Sequence, residues 1–127
     1  MAEGLLHGDL TYKVIGFGMQ VHRTLGRGFL EKVYENSLMV LFEREGIAAR
    51  QQCPVKVWFE GVVVGDYYGD ILVDNRLILE LKTVDRMTDV HKAQALNYLK
   101  ATGIDLALIL NFGAASFEHY RLINRLR

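Results

Sequence analysis

The chain has 127 residues, 15 Lys and Arg against 15 Asp and Glu, 50% hydrophobic and 24% charged residues, one Cys and one Pro. That balance is too apolar for a disordered chain, and no apolar run approaches the roughly 20 residues of a membrane helix, so a soluble protein without membrane contact is expected. Zero net charge speaks against holding nucleic acid by bulk electrostatics, because such domains usually carry a basic excess.

The opening MAEGLLHGDL lacks the basic start and long apolar stretch of a signal peptide, which points to a cytoplasmic protein. Leu10, Val14, Phe17, Val21 and Leu25 recur at spacings of three and four. They predict an amphipathic helix with Asp9 as its N-cap and Gly26 as its stop. A second stripe of Leu30, Val33, Leu38 and Leu41 predicts another helix, closed by Gly46 in a left-handed cap. From Gln51 the period falls to two. Cys53 has no partner for an internal disulfide, in keeping with a reducing compartment. Val55, Val57 and Phe59 alternate with polar or bulky neighbours, and Gly61 turns the chain into a long strand ending near Asp74.

Asp74, Asn75 and Arg76 form a turn into the strand Leu77–Lys82, with Leu77, Leu79 and Leu81 on one face. A third helix is expected from about Thr88 to Thr102, with Ala93, Leu96, Leu99 and Lys100 on its inner or boundary side. The apolar run Leu106–Leu110 reads as a strand covered on both faces, and Phe117–Ile123 as a last, partly exposed strand. No repeat or linker divides residues 1–127, and a chain of this length buries about two-thirds of its unfolded surface, so one domain is expected. The order gives an α/β fold, a mixed sheet with helices on its faces.

Glu80-Leu81-Lys82 places a carboxylate and an ammonium on the face opposite Leu79 and Leu81. Alone, such a triplet is an ordinary solvated strand face. Asp70 changes the reading. If the turn holds three residues, Val73 pairs with Leu77 and Asp70 falls opposite Glu80, where two carboxylates would repel. A two-residue turn would put Asp70 on the apolar face instead, which is costly for a charge. Two acids tolerate such closeness around a divalent cation, and Mg²⁺ takes one or two carboxylates together with water and phosphate oxygens. Lys82 would hold or deprotonate the attacking water, or stabilise charge developing on phosphate. Helix residues could add to this patch: Glu31 with Tyr34, and His91 with Gln94 and Tyr98. Taken singly, Glu31 suits a helix first turn, the tyrosines suit the edge of a core, and His91 suits a solvated or capping position.

Gly28-Phe29-Leu30-Glu31-Lys32-Val33-Tyr34 resembles the signature of the GxxExxY family, a small prokaryotic family of the PD-(D/E)xK nuclease superfamily. Gly69-Asp70, Glu80-Leu81-Lys82, His91–Leu99 and the strand ending Asn111-Phe112-Gly113 extend the likeness from about Leu10 to Ile123. The resemblance implies a restriction-endonuclease-like mixed sheet flanked by helices. It implies Asp70 and Glu80 as metal-binding acids, Lys82 as the catalytic lysine, Gln94 as a residue orienting the site, and Glu31 as a further carboxylate near the metal. Gly69 stands where the superfamily name has Pro, a position that shapes backbone and carries no ligand.

The activity so implied is hydrolysis of nucleic acid, DNA first, by a water activated on Mg²⁺, with Mn²⁺ as a substitute. The rival reading is an inactive binding or assembly module that acts through self-association or a protein partner, through apolar residues such as Trp58, Phe59, Tyr67 and Tyr68. A partner or second copy could equally supply specificity to so short a nuclease. The four histidines and one Cys show no zinc-ligand spacing, and no Gly-x₄-Gly-Lys-Ser/Thr loop indicates ATP use. Lys82, Arg86, Lys92, Arg121, Arg125 and Arg127 lie on elements that could make a positive rim, which reconciles zero net charge with a phosphate-binding cleft.

Overall fold

The computed structural model describes residues 5–124. Its elements run α1 (Gly8–Leu25), α2 (Glu31–Arg44), β1 (Ala49–Phe59), β2 (Val62–Val73), β3 (Leu77–Lys82), α3 (Asp89–Thr102), β4 (Leu106–Asn111) and β5 (Glu118–Ile123). The five strands lie in sequence order in one sheet. β3 and β4 are parallel, joined through α3, and every other neighbouring pair is antiparallel. The expected mixed sheet flanked by helices is therefore present.

Alternation along the central strands builds two cores. Leu77, Leu79 and Leu81 join Leu106, Leu108 and Leu110 under α1 and α2, where Val14, Val21, Leu38 and Phe42 close over them. Ile78, Ala107 and Ile109 face the other way and meet Ala95 and Leu99 of α3. Every residue of β4 is buried, as an apolar run covered on both faces requires. Pro54 sits in β1, an edge strand, where a missing N–H is tolerated.

Several local expectations need correction. Asp9 lies in the first turn of α1, and the residue preceding the helix is His7 in a left-handed conformation (φ 51°). Gly26 does close α1, with its N–H on the His22 carbonyl. In α2 the inner face is Tyr34, Glu35, Leu38, Leu41 and Phe42, while Leu30 is 80% exposed and Val33 also faces out. Leu30 precedes the helix, so counting the stripe from it rotated the predicted face away from the real one. In α3 the buried residues are Ala95 and Leu99, with Leu96 packed against their cluster, whereas Ala93 and Lys100 are exposed. Of Val55, Val57 and Phe59 only Val55 is buried. The last strand begins at Glu118, since Phe117 turns inward against Phe112 and Gly18.

The loop after β3 is pinned to the end of β4. Phe112 N–H donates to the Lys82 carbonyl at 2.9 Å, and the fully buried Asn111 exchanges two hydrogen bonds with the Val84 backbone, at 3.0 and 2.9 Å. Gly113 passes so close that a Cβ there would overlap the Thr83 carbonyl carbon and the Val84 nitrogen. Because those are backbone atoms with no rotamer to give way, Gly113→Ala is expected to cost about 3 kcal/mol of stability, read as a lowered midpoint in urea unfolding.

Candidate active site

The register of the β2–β3 hairpin positions the acids. Val73 pairs with Leu77, Leu72 with Ile78 and Ile71 with Leu79, so the turn holds three residues, as the charge argument required. Asp74 and Asn75 take left-handed conformations in it, which these residue types tolerate. Beyond Ile71 the ladder stops. The Leu81 N–H donates to Asp70 Oδ2 at 2.7 Å, so the Asp70 side chain occupies the gap where the two strands part. Glu80 sits beside that gap, on the α3 face of β3.

Glu80 is only 6% exposed, and its Oε1 is buried without a hydrogen-bond partner. Burial pushes its pKa up to about 9, Asp70 and Glu31 push the same way, and Lys82 opposes them. Asp70 is also raised, chiefly by burial and further by Glu35, against the lowering effect of the Leu81 N–H and Lys82. Glu31 is raised by burial and by Asp70. Four of the five expected site residues, Glu31, Asp70, Glu80 and Lys82, thus share one electrostatic neighbourhood.

The entry to α2 explains why a Gly, a Glu and a Tyr belong at their spacing. Gly28 adopts φ 114°, a conformation that disfavours any side chain. Tyr34 Oη donates to the Gly26 carbonyl at 2.7 Å and accepts from the Phe29 N–H at 3.2 Å, while its ring stacks on Phe112 at 4.5 Å. The loop is thereby held, and α2 starts with Glu31 at the acid cluster. Tyr34 is fully buried rather than at the core's edge. Tyr34→Phe leaves two backbone groups unpaired and is expected to cost about 2 kcal/mol, measured as a loss in unfolding free energy.

Two residues of this neighbourhood were missed in the sequence. Glu35 is buried and accepts from Lys32 Nζ at 3.0 Å, Gln51 Nε2 at 2.6 Å and Gln52 Nε2 at 2.9 Å. Gln52, in a left-handed conformation (φ 55°), also favours the charged form of Asp70, a minor effect beside burial. The available signal was Glu31 and Glu35 four apart on one helix, a like-charge pair that destabilises an isolated helix unless partners meet it.

On α3, His91 is a capping residue: its Nδ1 accepts the Thr88 N–H at 3.1 Å, within a reciprocal capping box. Gln94 and Tyr98 line a cleft of about 880 Å³ together with Lys82. Gln94 makes no hydrogen bond to Asp70, Glu80 or Lys82 among the described residues. The Tyr98 hydroxyl is pushed up to about 12, by burial first and then by Glu80 and Asp70. The expected positive rim is partly misplaced. Arg121 is spent on Thr11 and the Leu6 carbonyl, and Lys92 lies over the Tyr120 ring at 4.4 Å. Arg125 and Arg127 lie outside the described residues. The lysines that line the cleft are Lys56, Lys82 and Lys100.

Among the described residues, no three His, Cys, Asp or Glu side chains gather tightly enough to hold a metal unaided. Two adjacent carboxylates, one with an orphaned buried oxygen, do fit a hard cation of the Mg²⁺ kind, which is completed by water and substrate phosphate. A profile of the PD-(D/E)XK nuclease superfamily matches residues 8–125. The chain belongs to the PD-(D/E)XK nuclease superfamily. Nuclease activity and nucleic-acid binding are what this superfamily suggests, and its members generally use divalent metals. No curated protein matches the chain. The crystal structure of SSO0001 is similar in fold, with a TM-score of 0.61 at 14% identity over 76% of this chain. This PD-(D/E)XK chain spans about half the length of that protein, 50% of it being covered. No helix among the described residues is long and apolar enough to cross a membrane.

Proposed function

We propose that the protein is a Mg²⁺-dependent nuclease of the GxxExxY type that hydrolyses phosphodiester bonds of DNA, with Mn²⁺ as an alternative metal. The observation that carries this reading is the buried Glu80 oxygen without a partner, set beside Asp70 and two residues before Lys82. Asp70 on β2 and Glu80-Leu81-Lys82 on β3 supply the acid, acid and lysine for which the superfamily is named.

In this reading Asp70 and Glu80 hold the cation, and Glu31 tunes it from the start of α2. Once bound, a divalent cation supplies charge neutralisation at the phosphate and eases deprotonation of water. Lys82 holds the nucleophilic water or the phosphate and accepts a proton or stabilises negative charge there. Gln94, on the opposite wall of the cleft, orients the substrate. The Leu81 N–H keeps the Asp70 carboxylate turned toward the gap, and the Asn111 bonds fix the backbone beyond Lys82. We place the protein in a prokaryotic cytoplasm, with a second copy or another protein supplying sequence preference.

The test is cleavage of end-labelled oligonucleotides and plasmid by the wild type with Mg²⁺, Mn²⁺ or EDTA, beside Glu80→Ala. Metal-dependent cleavage that the variant loses is expected. Equal activity in both, or no cleavage by the folded wild type in either metal, would remove the reading.

A further inference from the structure

The wall of the cleft beyond Lys82 has a composition that metal binding does not explain. Trp58 and Tyr67, from the outer parts of β1 and β2, face Tyr98 of α3 across it. Trp58 is 62% exposed and Tyr67 53% exposed, so large ring surface is offered to solvent on the outer part of the β1–β2 hairpin, where Phe59, Val62, Val64 and Tyr68 are exposed as well. Tyr67 and Tyr98 meet edge to face at 6.1 Å, a contact that ties β2 to α3 and leaves ring faces available. Lys56, Lys82 and Lys100 stand among these rings, and no acid lines the cleft among the described residues. Lys56 also approaches Asp66 at 3.9 Å, an exposed pair that water screens.

Aromatic faces interleaved with cations are the means by which proteins bind unpaired nucleotides: the rings stack on bases and the ammonium groups follow the phosphates. Paired bases present no free face to such rings. The volume, about 880 Å³, falls within the roughly 300–1,000 Å³ of sites that enclose small ligands, and suits a few nucleotides rather than a duplex. Lys82 lines this cleft and also belongs to the acid cluster, so a strand lying along the rings brings a phosphate to Asp70 and Glu80. We propose that this cleft binds single-stranded nucleic acid by stacking unpaired bases on Trp58, Tyr67 and Tyr98, and that the substrate is single-stranded at the point of cleavage. The proposal rests on the nuclease reading for the second of these statements only.

Trp58 is the single tryptophan of the chain, so it reports on the cleft directly. The probes are a twelve-residue oligothymidylate and the same strand annealed to its complement, titrated with Ca²⁺ in place of Mg²⁺ to occupy oxygen ligands without the catalytic metal. Tryptophan fluorescence is expected to be quenched by the single strand, with a Kd at least ten-fold below that for the duplex. Tyr67→Ala is expected to weaken single-strand binding about ten-fold, and Tyr67→Phe to restore it. Trp58→Ala and Trp58→Phe, followed by fluorescence anisotropy of the labelled strand, should behave alike. Duplex bound as tightly as the single strand, or alanine variants that bind as the wild type does, would overturn the proposal. The same strands with Mg²⁺ or Mn²⁺ separate the two readings. Stacking-dependent binding without cleavage would leave the cleft standing and sink the nuclease, while preferential cleavage of duplex would do the reverse.

Discussion

Replacing Lys82 with Ala is expected to lower the cleavage rate by about 10²–10⁴-fold, the range lost with one general acid or base, while Mn²⁺ still binds. The two effects separate because Lys82 contributes a positive charge near Glu31, Asp70 and Glu80 and is not among the acids that would hold the cation. Removing that charge relieves repulsion against the metal. Lys82→Arg divides the possible roles. A guanidinium keeps the charge and does not give up its proton, so a dead Arg variant assigns Lys82 to proton transfer, and an active one assigns it to charge stabilisation. Single-turnover rates at saturating Mn²⁺, together with Mn²⁺ affinity, provide the measurement.

Glu80→Gln is expected to remove the metal response and to flatten the pH dependence of stability. In the folded protein burial pushes the Glu80 carboxyl up to about 9, from an ordinary 4.5. Between those values the folded state keeps a proton that the unfolded state releases, so stability falls as pH rises. In EDTA the unfolding free energy of the wild type should drop by roughly 1 kcal/mol per pH unit across that window. The raised pKa values of Asp70 and Glu31 add in the same direction. Gln cannot ionise, so the variant should lose most of this slope and exceed the wild type in stability at pH 8. Urea unfolding at pH 5, 6.5 and 8 measures it, and parallel slopes for the two proteins would contradict the assignment.

The fold was legible where periodicity was long. Leu77, Leu79 and Leu81 and the run Leu106–Leu110 gave the central strands, and the cost of a buried Asp70 fixed a three-residue turn that the ladder bears out. Helix faces were read less well: Leu30 is apolar and lies outside its helix, and Ala93 and Lys100 carry no strong signal of side. Asp70, Glu80 and Lys82 could be brought together because hairpin register is a local matter, whereas Glu31, distant in the chain, joined them only through the family resemblance. Glu35, Gln52 and Asn111 escaped, since their partners lie far along the chain and a polar residue's burial is decided by those partners. The basic rim was misplaced in part for the same reason, as Arg121 finds Thr11 across the fold.

Glu80, buried and with its Oε1 unpartnered, is held ready to receive a divalent cation beside Asp70. Titration of Mn²⁺ into the metal-free protein at pH 7.5, by calorimetry in two buffers of different ionisation enthalpy, tests it most directly. Saturable binding that releases about one proton is expected, because a carboxyl pushed up to about 9 must ionise to become a ligand, with loss of both binding and release in Glu80→Gln. Absence of binding, or binding with no proton released and unchanged by Glu80→Gln, would contradict it.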